Sequence, residues 1–196
     1  MHATTIAISH AATALCAPVP QLDPAYARIL RRRGRIHLAI VGIDWFPTGA
    51  TRIPFCKRTW AEQRKRNGAG FTVLDALGID MMRAQDLFDT PRELFLFLAE
   101  QYGIVFLNAA YTYVGGKRTA HTLSVFLRAR VINLPVFAKA RHILLCGNPA
   151  HREYGHLSRT TCVLHPAAKR PAFKARWSAH WSSHAIARQL SLKIVL

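Results

Sequence analysis

Three polar residues of catalytic type stand at the ends of apolar runs. Ile36–Val41 leads through Gly42 to Asp44, Ile104–Leu107 ends directly in Asn108, and Thr161–Leu164 ends in His165. Together a carboxylate, an amide and an imidazole can stabilise positive charge, read a flat hydrogen-bonding ligand, and donate to developing negative charge. Singly, each has an ordinary use. Asp44 suits a turn after a strand, Asn108 can close a strand on its own backbone, and His165 can sit in a turn. With ten histidines in the chain, no one of them is strong evidence alone. The shared placement at run ends is what singles these three out, because ligand sites of open parallel sheets gather at the carboxyl ends of the strands.

The elements that would position them can be read from the pattern. Four runs, Ile36–Val41, Ile104–Leu107, Ile143–Cys146 and Thr161–Leu164, are continuous rather than alternating, as strands covered on both faces require. Asp23-Pro24 predicts a helix to Arg32, and Thr59 one through Arg66. Thr90-Pro91-Arg92-Glu93 is a capping box whose helix should reach Tyr102 and stop at Gly103. Lys117–Ala129 and Trp177–Leu190 supply two more. The expected fold is α/β, a three-layer α/β/α sandwich around a four-stranded, mainly parallel sheet. Residues 1–20 read as a poorly ordered tail and residues 21–196 as a single domain.

Several segments also resemble a known family. Gly42-Ile43-Asp44-Trp45-Phe46 is similar to the Gly-Gln-Asp-Pro-Tyr motif of the uracil-DNA glycosylase superfamily. Phe106-Leu107-Asn108 resembles its Leu-Leu-Asn strand end, Leu144–Ala150 the strand before its last motif, and His165-Pro166 the start of its His-Pro-Ser-Pro-Leu loop. The loop from His165 to Pro171, continuing to Trp177, is closer in length to that of the single-strand-selective monofunctional type, and Ile53-Pro54-Phe55 resembles that branch's Val-Pro-Phe. That branch has Asn where this chain has Asp44, so features of two branches are mixed.

The resemblance implies hydrolysis of the bond between uracil and its sugar in DNA, after the nucleotide is flipped from the stack. Asp44 would orient water and stabilise the positive sugar, and His165 would donate a hydrogen bond to uracil O2. Asn108 would match uracil O4 and N3–H. Phe55 would stack on the base, and Ile43 and Phe46 would line the pocket, Phe46 against the thymine methyl. Lys169 and Arg170 occupy the place of the residue that wedges into the duplex, and Thr72, near Gly68 and Gly70, would touch a phosphate.

Charge agrees with such a partner. Lys and Arg total 27 against 10 Asp and Glu, a formal net charge of +17, and the excess calls for nucleic acid or an anionic surface. Basic clusters fall at Arg31–Arg35, Arg64–Arg66, Lys117–Arg118 and Lys169–Arg176. No apolar run is long enough to span a bilayer. Cys16, Cys56, Cys146 and Cys162 are widely spaced and read as reduced thiols of a cytosolic protein, with Cys146 and Cys162 as core fillers. Neither an iron–sulfur cluster nor zinc is expected from their spacing with His151, His156 and His165. No Lys stands where a strand-cleaving lyase needs its nucleophile. The expectation is a monofunctional, cofactor-free, monomeric enzyme of a cytoplasm, bacterial in type, acting on uracil-containing DNA. Two alternatives stay open: a broader enzyme that also removes xanthine or hypoxanthine, and a silent DNA-binding relative. Trp177, Trp181 and His184 share one face of the expected last helix.

Overall fold

The structure, a computed structural model, describes residues 22–43, 51–111, 123–169 and 171–196. Asp44, Phe46, Arg170, the expected tail over residues 1–20 and the pair Lys117–Arg118 lie outside these. Four strands form one sheet in the order β2-β1-β3-β4: β1 (Ile36–Gly42), β2 (Ile104–Asn108), β3 (Ala140–Cys146) and β4 (Thr160–Val163). All three pairings are parallel. Every residue of β2 is buried, as is all of β1 except His37. Helices flank the sheet, giving a three-layer α/β/α sandwich. The apolar runs are continuous because both faces of these strands are covered. β4 is the exception. It lies at the rim and exposes Thr161 and Cys162, so Cys162 is a surface thiol, whereas Cys146 is fully buried.

Helix α1 (Pro24–Arg32) begins where its cap dictates. The Asp23 carboxylate accepts from the Ala25 and Tyr26 N–H groups, each at 3.0 Å, and Pro24 fills the first turn, where no N–H is needed. Arg92 grips the same carboxylate at 2.8 and 3.0 Å, tying α1 to α5 (Pro91–Phe97). Burial acts to raise the Asp23 carboxyl, but the Arg92 hydrogen bonds, the Tyr26 and Ala25 N–H groups and the Arg92 charge together hold it below its ordinary 3.8. The folded state therefore favours the ionised form. Its contribution is full above the ordinary carboxyl value and is lost as pH falls through the lower, folded value. Asp23→Ala is expected to cost about 1–2 kcal/mol in urea unfolding at neutral pH. The deficit should shrink towards zero as pH drops below 3.8, and a deficit independent of pH would count against the ion pair.

Elsewhere the tertiary structure overrides local signals. Thr59 does cap α2 (Trp60–Gln63), accepting from Glu62 N–H at 3.2 Å, but the helix ends there rather than at Arg66. The capping-box helix passes from α5 into a π-helical turn, Leu98–Tyr102, and stops at left-handed Gly103 (φ 63°), where it was expected to end. Helix α6 runs Leu123–Lys139, ten residues past the expected stop at Ala129, with Pro135 inside it. Burial of Val136 and Phe137 outweighs the missing proline donor. The Arg159 guanidinium binds Ala140 O at 2.7 Å where the helix gives way to β3. The expected last helix is two: α8 (Lys174–Trp181) and α9 (Ala185–Gln189). Between them His184 is left-handed (φ 59°), because Asp75 O accepts its N–H at 2.9 Å and the Asp75 carboxylate accepts from the Ser183 hydroxyl at 3.0 Å. His184 is therefore exposed beyond the break and does not continue the face of Trp177 and Trp181. The pattern gave no warning of α3 (Ala69–Ala76), α4 (Met81–Leu87) or α7 (Asn148–Tyr154). No helix among the described residues is long and apolar enough to cross a membrane.

Candidate functional site

The strand order sets the four carboxyl ends side by side. Asn108 closes β2, Gly42 closes β1, Gly147 follows β3, and His165 is the second residue after β4. Gly42 and Asn108 are direct partners in the parallel register. Gly42 has to be glycine. A methyl carbon there would stand 2.7 Å from Asn108 Oδ1 and 2.9 Å from Phe55 Cζ. The Asn108 amide and the Phe55 ring therefore both lie against the same strand end. Asn108 is 3% exposed, and its side-chain amide takes part in no hydrogen bond among the described residues, although its backbone does. Phe55 is half-buried, and its ring meets Phe106 edge-on with centroids 6.2 Å apart.

Phe55 is held in an unfavourable backbone conformation. Its φ is 67°, a region that costs a residue with a Cβ about 1–3 kcal/mol. The start of α3 presses on it: a methyl at Gly70 would come 2.1 Å from Phe55 O. The same helix accounts for Thr72. Its side chain is 2% exposed and its hydroxyl donates back to Gly68 O at 3.2 Å, an internal helix bond. The expected phosphate contact is thus not available to Thr72, since helix packing covers it and its donor is already used.

At the other side of β1, Ile43 and His165 flank Gly147. A methyl on Gly147 would lie 3.3 Å from both Ile43 Cδ1 and His165 Cβ, and its φ of 86° suits glycine. His165 Nδ1 accepts the Ala167 N–H at 3.2 Å. A neutral ring that accepts at Nδ1 carries its proton on Nε2, so Nε2–H is the donor. The backbone around His165 is fixed from behind by two indoles one helical turn apart. Trp177 Nε1–H donates to Pro166 O at 3.0 Å and Trp181 Nε1–H to Leu164 O at 2.8 Å. Spacing alone puts these tryptophans on one face and gives them no role in the loop. Their four-residue spacing, beside a loop carrying a candidate His, was the available signal.

Lys169 folds back over this loop. Its ammonium donates to Arg66 O at 2.7 Å and lies 5.1 Å from the Trp177 ring centroid, a cation–π contact. The Arg64–Arg66 and Lys169–Arg176 clusters therefore lie near each other and near His165. Arg31–Arg35 does not share that rim. It precedes β1, so it sits at the amino-terminal edge of the sheet, roughly 20 Å away along a seven-residue strand. There Arg32 pairs with the Glu100 carboxylate, and the Arg33 guanidinium donates to Glu100 O.

The structure thus brings Ile43, Phe55, Asn108 and His165 to one edge and leaves Thr72 buried behind it. No protein-family model and no curated protein matches the chain.

Proposed function

We propose that this protein is a monofunctional DNA glycosylase that hydrolyses the N-glycosidic bond of uracil in DNA. One observation supports the reading most: a half-buried aromatic ring and an amide free of described partners meet at the same strand end, where a flat base can be stacked and read. The amide donates and accepts at once, as uracil O4 and N3–H require. Cytosine presents the reverse pattern and would leave buried groups unpaired, at about 1–3 kcal/mol each. His165 offers Nε2–H toward charge developing on the departing base, and Asp44, two residues past Gly42, supplies the carboxylate that the positive sugar needs. The enzyme acts as a cytoplasmic monomer.

The test uses end-labelled single- and double-stranded oligonucleotides carrying one uracil, followed by alkali. Breaks at uracil that appear only after alkali are expected. Breaks without alkali would mean a lyase, and intact uracil in both substrates would overturn the proposal. Parallel strands carrying xanthine or hypoxanthine separate a narrow enzyme from a broad one.

A further inference from the structure

The far side of Asn108 carries a second polar construction. β2 is an edge strand, so alternate residues turn N–H and C=O away from the sheet, where burial would leave them unpaired. At Phe106 one hydroxyl serves both groups: Tyr26 Oη accepts the Phe106 N–H at 2.5 Å and donates to Phe106 O at 3.0 Å. Two residues on, at Asn108, the task is divided. Asn108 N–H donates to Tyr111 Oη at 3.2 Å, the Tyr111 hydroxyl donates to Asn133 Oδ1 at 3.0 Å, and Asn133 Nδ2 donates to Asn108 O at 2.9 Å. The three bonds close a ring, and each polarises the next. The second Asn133 N–H donates to Tyr154 Oη at 3.0 Å, adding α7 to the α6–β2 junction. Asn133 is fully buried. Burial raises the Tyr111 hydroxyl well above its ordinary value and the Tyr154 hydroxyl to about 12, so both keep their protons at working pH.

We propose that Tyr111 and Asn133 are positioning residues for Asn108: their ring fixes both backbone groups of that residue and so aims its amide at the base. This rests on the glycosylase reading. The ring differs from the Tyr26 bonds in one useful way. Both satisfy the same edge strand, but only the ring closes on the residue proposed to read the base, whereas Tyr26 holds Phe106, one packing step behind Phe55. Tyr26→Phe is therefore a matched control for lost edge-strand bonding.

The experiment compares wild type, Tyr111→Phe, Asn133→Leu and Tyr26→Phe by melting temperature, steady-state kinetics on uracil-containing single strands, and selectivity for uracil over cytosine. All three variants should melt lower than wild type. Tyr111→Phe should raise KM about tenfold with a smaller change in kcat, and should narrow the uracil preference by a similar factor. Tyr26→Phe should leave KM and selectivity at wild-type values. If Asn133→Leu does not fold, Tyr111→Phe decides alone. Equal KM and selectivity for Tyr111→Phe and Tyr26→Phe would overturn the positioning role while the glycosylase reading stood. Absence of uracil release by wild type would instead overturn that reading, and this inference with it.

Discussion

His165→Ala is expected to slow uracil release by roughly 10²–10³-fold, the usual cost of removing one donor from a developing negative charge. The fold should survive. The imidazole is half-exposed, and the two indole bonds reach the carbonyls of Leu164 and Pro166, not the ring. Among its contacts the ring accepts from Ala167 N–H, a group that lies in an exposed turn where water can replace it. The loss should therefore appear in the chemical step. Single-turnover rates with enzyme in excess measure it, and affinity for uracil-containing DNA should change little. A rate within threefold of wild type would remove His165 from the chemistry.

Gly42→Ala should be nearly as damaging, for a steric reason. The backbone there is ordinary extended strand, so no strain arises from φ. The added carbon would lie 2.7 Å from Asn108 Oδ1 and 2.9 and 3.2 Å from two atoms of the Phe55 ring. Something has to give, and both neighbours are constrained. Asn108 is tied through its backbone on the outer side, and Phe55 by its left-handed φ and the press of Gly70. Overpacking of this kind costs about 1–3 kcal/mol of stability. The larger effect should be on recognition, because the displaced atoms are the ones proposed to hold the base. A fall in kcat/KM of about a hundredfold is expected, with the melting temperature lowered by several degrees. A variant that melts and cleaves like wild type would show that the amide and the ring do not jointly form the site.

The layers of the fold could be read from the sequence because burial on both faces leaves a plain mark. Ile104–Leu107 is apolar without alternation, and all of β2 is buried. The caps at Asp23, Thr59 and Thr90 were legible because each is a local bond between a side chain and the next turn. What depended on distant partners was not. Nothing near His184 announces the break between α8 and α9, which Asp75 imposes from more than a hundred residues away. Nothing in the local pattern past Ala129 announces that α6 runs on through Pro135 to Lys139, where the burial of Val136 and Phe137 outweighs the missing donor. The same division runs through the site. Asn108 and His165 were visible as polar ends of apolar runs. Phe55 came from the family resemblance, and its contact with Gly42 needed the fold. Tyr111 and Asn133 had no signal, since a buried ring of three bonds leaves no spacing behind. Thr72 was misjudged because a threonine near glycines looks alike whether its hydroxyl faces outward or turns back on its own helix.

The indole pair behind His165 also makes the protein its own optical probe. Of its four tryptophans, Trp177 and Trp181 hang by their ring nitrogens from the His165 loop, and the Trp177 face is capped by an ammonium. Any shift of that loop lengthens an indole bond or uncovers a ring, and either changes intrinsic fluorescence. The motion of the loop can be timed in the unlabelled protein, separately from the breaking of any bond.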